Sequence, residues 1–223
     1  MAHDDGNGQR AESRHRVRVA LLLAIASAVA CAHRGASASF TAGDSMLPTI
    51  PVGAPLAVSA PGAHPARGRA VVFRWQQNPE RQYVKRVIGV SGDVVASRGG
   101  EIAVNGVPIP RCRVGAWGYV DAGGEAHRGE IWVETLQGAA WLVFHDAARA
   151  AAVPEGSWTV SAGEVFVLAD NRENSQDSRV WFGGRGGGLP VGWIAGTVTQ
   201  PTIPTLPSGA EALQSALGNC LSG

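Results

Sequence analysis

The stretch Gln82-Tyr83-Val84-Lys85-Arg86-Val87-Ile88-Gly89-Val90 decides how this chain is read. Its β-branched and apolar residues describe a strand buried on at least one face, and a lysine stands in the middle of it. Further short apolar runs lie on either side, at 55–58, 70–75, 93–96, 102–104, 131–135, 140–144, 157–160, 165–168 and 194–198. Thirty glycines and thirteen prolines break them up, a spacing that favours antiparallel sheets over strand-helix-strand units. Asn105-Gly106, set between 102–104 and Val107, has the chemistry of a two-residue hairpin turn. The expected fold class is therefore mainly β.

Lys85 is the single lysine of the chain; the other eighteen of its nineteen basic residues are arginines. Arginine keeps its proton inside a protein, whereas a desolvated lysine can lose its own and act as a base. A neutral amine needs something to activate. Gly43-Asp44-Ser45-Met46-Leu47-Pro48-Thr49 offers a serine flanked by glycine and held before a proline, inert at neutral pH without a base beside it. A third segment follows the apolar run 165–168: Ala169-Asp170-Asn171-Arg172-Glu173-Asn174-Ser175-Gln176-Asp177-Ser178-Arg179 is too polar for a core strand and too specific for a solvated loop.

Taken together, residues 43–49, residues 83–89 with Ser91-Gly92-Asp93, and residues 170–179 resemble the type I signal peptidase family, membrane-bound Ser/Lys endopeptidases that cut leader sequences from exported proteins. Residues 68–73 and 189–196 match more loosely. The resemblance implies the antiparallel β-sheets of the signal-peptidase catalytic domain. It implies that Ser45 is the acyl nucleophile, that Lys85 is the general base, and that Ser175 hydrogen-bonds and orients the Lys85 amine. Asp177 and Arg179 would form a structural ion pair. The chain departs from the family at Gly43, where some members carry a serine whose hydroxyl binds the oxyanion, so the hole must rest on backbone donors of the Gly43 region, the Ser45 N–H first. Ala169 replaces a usual glycine, and Arg69 a common acidic residue. The implied partners are exported preproteins and membrane lipid, with small residues preferred before the cut and no cofactor.

Other chemistries find less support. The six histidines lie in no apolar or carboxylate-flanked context, and the second glycine of a hydrolase nucleophile elbow is missing after Ser45. No Cys/His cluster has metal-ligand spacing, and a net charge of +1 with scattered arginines leaves no nucleic-acid footprint. Two alternatives stay open: a LexA-like Ser/Lys self-cleaving protein, and a non-catalytic envelope-anchored β domain that binds a partner.

Residues 1–18 form a basic N-terminus, and 19–35 an expected membrane helix. Its apolar run, 19–32, would be about 21 Å long as a helix and needs flanking residues to cross roughly 30 Å of hydrocarbon. Arg10, Arg14, Arg16 and Arg18 precede the run and Arg34 follows it, which orients the N-terminus inside and the rest outside the bacterial cytoplasmic membrane in a single pass. Ala28-Val29-Ala30 also fits a cleaved signal peptide, and Cys31 a lipidation site. The β-rich catalytic domain is expected over 36–200, with a variable insertion at 112–160, a mobile loop at 183–188 and a Pro-rich tail at 201–223 that holds at most a short helix near 210–217. Cys112 and Cys220 are free to pair in an oxidising exterior or to remain thiols.

Overall fold

A computed structural model describes residues 40–62, 65–150, 154–199 and 204–222. The strands are β1 Phe40–Thr41, β2 Pro55–Leu56, β3 Val58–Ser59, β4 Ala70–Trp75, β5 Asn78–Val90, β6 Val94–Arg98, β7 Glu101–Val104, β8 Val107–Pro108, β9 Arg111–Val120, β10 Ala126–Leu136, β11 Ala139–Asp146, β12 Gly156–Thr159, β13 Glu164–Leu168, β14 Leu189–Pro190 and β15 Ile194–Val198, and the chain closes on an α-helix, α1, Gln214–Ser222. Every ladder between these strands is antiparallel. The expected membrane helix lies outside the described residues. Among the described residues, no helix is long and apolar enough to cross a membrane.

A six-stranded sheet in the order β14-β13-β5-β4-β15-β3 carries the lysine strand near its centre. Both faces of β5 are covered there, which is why residues 84–89 show no alternation of polar and apolar positions and why Lys85 and Arg86 are buried along with their apolar neighbours. On one side Ile88, Phe166 and Leu168 pack with Val95, Ile102 and Val143 from neighbouring sheets. Val71, Phe73, Val87, Val165 and Leu189 build a second cluster, and Ala70, Val72 and Val84 a third with Met46 and Ile50. A four-stranded sheet, β12-β6-β7-β8, turns through Asn105 and Gly106 at φ 53° and 79°, the left-handed pair that a two-residue hairpin requires.

Within the span expected as an insertion, β12 at its end joins β6 in the four-stranded sheet, while β9, β10 and β11 form a three-stranded sheet in the order β11-β10-β9. The C-terminal segment is no loose tail: Leu206, Ala210, Leu213 and Leu217 pack on Val114, Ile131 and Val133 of this sheet, and Cys220 of α1 is disulfide-bonded to Cys112 of β9. The helix also starts and ends later than the tail's composition suggested. Gly68 adopts φ 79°, and a Cβ there would meet the Ala139 Cβ at 2.6 Å, so the loop before β4 passes close to β11 only as glycine.

Candidate active site

Ser45 lies in a single 3-10 turn, Asp44–Met46, closed by the Leu47 N–H donating to the Asp44 carbonyl at 3.0 Å. Met46, 1 % exposed, and Ile50 anchor the turn in the cluster that holds Val84. The serine itself stays at the surface of that anchor, because Ala42 before the turn and Met46 within it sink into the cluster.

Lys85 comes from β5, opposite Val71 of β4 in register. Its side chain is buried, and its Nζ donates to Ser45 Oγ at 2.7 Å and to the Val84 carbonyl at 3.0 Å. Burial pushes the amine's pKa down from 10.5 to about 8, with Arg81 adding to the fall, while Asp177, Asp170 and Asp44 pull the other way. The sign fits the environment: removing water disfavours the ammonium more than three non-contacting carboxylates favour it.

The polar segment after β13 is buried at 169–172 and 177–179 and half-buried at 173–175, and it joins the site together. Asp170 takes a bidentate ion pair from Arg86, at 2.7 and 2.5 Å, and Arg86 also donates to the Gly68 carbonyl at 2.8 Å. Arg172 forks onto Glu134 of β10 and donates to the Ala169 carbonyl. Asp177 and Arg179 form a bidentate pair at 2.9 and 2.8 Å, both side chains at most 2 % exposed, and Asp177 also accepts the Ala169 N–H. Asn171 donates its backbone N–H to the Ser45 carbonyl at 3.1 Å and its amide to the Asp44 carbonyl at 3.1 Å. Asn174 reaches Asp44 Oδ2 at 3.2 Å. Charges this deep are tolerated because each has an opposite charge and further hydrogen bonds.

Two sequence expectations meet a different arrangement in the structure. Ser175 does not bond the Lys85 amine; its hydroxyl donates to the Gln176 carbonyl at 3.4 Å, and the Val84 carbonyl holds the amine in its place. The histidines are not without carboxylates: His127 Nδ1 lies 2.8 Å from Asp146 and its Nε2 3.4 Å from Asp121, and His145 Nδ1 lies 2.9 Å from Glu173. Burial works to lower the His127 pKa, but the hydrogen bonds to Asp146 and Asp121 outweigh it and raise the value. Asp146 and Asp121 hold the His127 ring within the insertion, and Glu173 ties His145 to the polar segment.

Gly43 precedes the turn in extended backbone at φ −82°, with no atom within 4 Å of where a Cβ would stand. Tyr119 of β9 is the residue that sequence reasoning missed: its phenol oxygen accepts from Asn171 at 2.7 Å and from Asn174 at 3.0 Å. A second omission is the group Asp121, Glu125 and His127, whose ligand atoms lie within 4.8 Å of one another. Arg149 donates to Glu125 at 2.6 Å and already brings a cation to it.

Beside Lys85 opens a cavity of about 440 Å³, lined by Tyr83, Gln176, Trp181 and Phe182 among others. Trp181 packs on Trp75 at 4.8 Å between ring centroids, and Trp75 on Trp193 at 5.3 Å, so one wall is aromatic. A buried amine in contact with a serine hydroxyl, next to an open apolar cleft, is suited to nucleophilic attack on a bound acyl group.

The chain has relatives among known proteins. The chain is similar to signal peptidase I of Pseudomonas fluorescens, 36 % identical over 118 residues, which cover 52 % of this chain and 40 % of that protein. It is 34 % identical to signal peptidase I of Pseudomonas aeruginosa over 122 residues, 54 % and 41 % of the two chains, and 30 % identical to that of Leptolyngbya laminosa over 156 residues, 66 % and 61 %. The matched part thus spans about four tenths of the length of the two Pseudomonas relatives. A solved signal peptidase I from Enterococcus faecalis aligns over 63 % of this chain and all of that one, with 26 % identity and a TM-score of 0.36. The profile of the family described as "Signal peptidase, peptidase S26" matches residues 14–203. On the strength of that match, which takes in the serine turn, the lysine strand and the buried polar segment alike, this chain belongs to the signal peptidase family, peptidase S26.

Proposed function

We propose that this chain is a membrane-anchored serine endopeptidase that removes signal peptides from exported preproteins through a Ser45/Lys85 dyad. The observation that carries the reading is the 2.7 Å contact between Lys85 Nζ and Ser45 Oγ at a buried amine whose pKa falls to about 8. At pH 7 roughly one enzyme in ten holds that amine neutral, a fraction sufficient for a general base. Neutral Lys85 takes the Ser45 proton as Oγ attacks the scissile carbonyl. The oxyanion is met by backbone N–H groups at the start of the 3-10 turn, the Ser45 N–H among them, since the first N–H groups of a helical turn have no carbonyl within the helix. The lysine then returns the proton to the leaving amine, and water hydrolyses the acyl-enzyme by the same base.

A neutral amine has two N–H groups and one lone pair. With the lone pair on Ser45 and one N–H on the Val84 carbonyl, the second N–H needs an acceptor. Ser175 supplies it by leaving its 3.4 Å contact with Gln176, a rearrangement in keeping with catalytic hydrogen bonds that tighten only when substrate binds. Residues 19–35 hold the enzyme to the membrane, where leader peptides emerge. Incubating the purified protein with a signal-peptide substrate bearing Ala-x-Ala before the cut, beside a Ser45→Ala control, tests the reading. Cleavage at that site by the wild type alone supports it, and an inactive wild type overturns it.

A further inference from the structure

The insertion does more than decorate the domain. Each of the two asparagine amides that reach the nucleophile turn divides its N–H groups between two acceptors: one on Asp44, the residue before Ser45, and one on the Tyr119 phenol oxygen. The same Asn171 holds the Ser45 carbonyl by its backbone N–H at 3.1 Å. The Asn171 side-chain oxygen has no hydrogen-bond partner among the described residues. The direction in which that amide faces is therefore decided by its N–H acceptors alone, of which Tyr119 is the nearer, at 2.7 Å against 3.1 Å for the Asp44 carbonyl.

The phenol is a rigid acceptor. Its ring stacks on His127 at 4.6 Å with 11° between the planes and on Trp117 at 5.5 Å, and it meets Phe144 edge-on at 5.7 Å. His127 is itself clamped by Asp146 at 2.8 Å. A stacked aromatic has few rotamers to choose from, so the oxygen stands at one point in space at low entropic cost.

We infer that Tyr119, on strand β9 of the insertion, is a positioning residue for the nucleophile: through Asn171 and Asn174 it fixes the Asp44–Met46 turn and with it the approach of Ser45 Oγ to Lys85 Nζ. The inference rests on the dyad reading above for its kinetic consequence, but not for the tether itself. Without the phenol oxygen, two part-buried amide N–H groups lose an acceptor, and the Asn171 amide is free to turn its oxygen toward β9 and release the Asp44 carbonyl.

Tyr119→Phe tests this, because the ring and its stacking remain while only the oxygen goes. Two measurements are made on the full chain. In the signal-peptide assay kcat falls 10- to 100-fold with KM within twofold of wild type, and combining Tyr119→Phe with Asn174→Ala gives a loss smaller than the product of the two single losses, as expected for residues that share one contact. By hydrogen exchange, the peptide spanning residues 43–50 exchanges at least tenfold faster in Tyr119→Phe, while β4 and β13 keep their protection. Unchanged exchange of 43–50 overturns the tether. Faster exchange with kcat within twofold of an active wild type overturns the positioning role. An inactive wild type counts against the Ser/Lys reading, and the exchange result still decides the tether.

Discussion

Lys85 and Arg86 are consecutive and both buried on β5, yet among the described residues only Arg86 has a carboxylate in hydrogen-bonding contact. Arg86 is paired with Asp170 at 2.7 and 2.5 Å, whereas Lys85 Nζ touches a hydroxyl and a carbonyl. Successive strand residues face opposite ways, so one basic side chain is turned to the structural pair and the other to the serine. The arginine serves a buried ion pair; the lysine is left where burial disfavours its charge. That division explains why a chain with eighteen arginines keeps a lysine here.

Activity should follow the neutral amine. We expect kcat/KM to rise with pH along an acid limb centred near 8, and Lys85→Arg to abolish cleavage without unfolding the protein. Asp44→Asn removes a charge that favours the ammonium, so it lowers the lysine pKa and moves the limb to lower pH, while Arg81→Gln moves it to higher pH. A pH-rate profile of the three proteins checks both signs. A limb that vanishes on replacing His127 or His145 would reassign the base.

The same burial makes Lys85 a liability for folding. Its folded pKa of about 8 lies below the unfolded 10.5, so the penalty is fully present below pH 8 and fades as pH rises to 10.5, where the amine is neutral in both states. Lys85→Met is therefore expected to be more stable than wild type at pH 7 by about 2–3 kcal/mol, allowing for the lost hydrogen bonds, with the advantage shrinking between pH 8 and 10.5. Denaturant melts of both proteins at pH 7 and 10.5 measure the difference.

Ser175→Ala is expected to lower kcat/KM by about 10- to 100-fold, the worth of one hydrogen bond to a reacting amine, and to leave the Ser45–Lys85 contact intact. The measured loss should stay well below that of Ser45→Ala. An unchanged rate would leave the Val84 carbonyl as the sole group that orients the amine.

Gly43→Ser should be accepted without strain, since φ is −82° and the space around the Cβ position is open. In the proposed mechanism a hydroxyl there would add a side-chain donor to the backbone donors that meet the oxyanion. We expect kcat/KM to rise by up to about tenfold with little change in Tm, read in the same peptide assay.

The Cys112–Cys220 disulfide closes a separation of 108 residues and pins α1 to the strand that carries Tyr119. Reduction, or Cys112→Ser with Cys220→Ser, is expected to lower stability by about 2–4 kcal/mol and Tm by roughly 5–15 °C. Thermal melts with and without reductant measure it.

Much of this protein was legible in its residues. The strands at β4, β5 and β13 announce themselves because both of their faces are buried over residues 70–73, 84–89 and 165–168, which leaves runs rich in β-branched and apolar residues, and Asn105-Gly106 announces its hairpin because few residue pairs adopt positive φ together. Ser45 and Lys85 stood out by chemistry: a lysine alone in an apolar strand, and a serine in a turn between glycine and proline. Strand β9 did not. Arg111–Val120 mixes arginine, cysteine, glycine and tryptophan, and becomes a strand only because β10 pairs with it and the C-terminal segment covers it. Tyr119 likewise bears no mark, for a tyrosine in a half-exposed strand looks the same whether or not two asparagines 52 and 55 residues away donate to it. The contacts of Ser175 and the carboxylates around His127 were hidden for the same reason. Local pattern records which side chains leave water, because burial and backbone preference act on each residue where it stands. Which buried groups then meet is decided by the order of the strands in the sheets, and only the folded chain contains that.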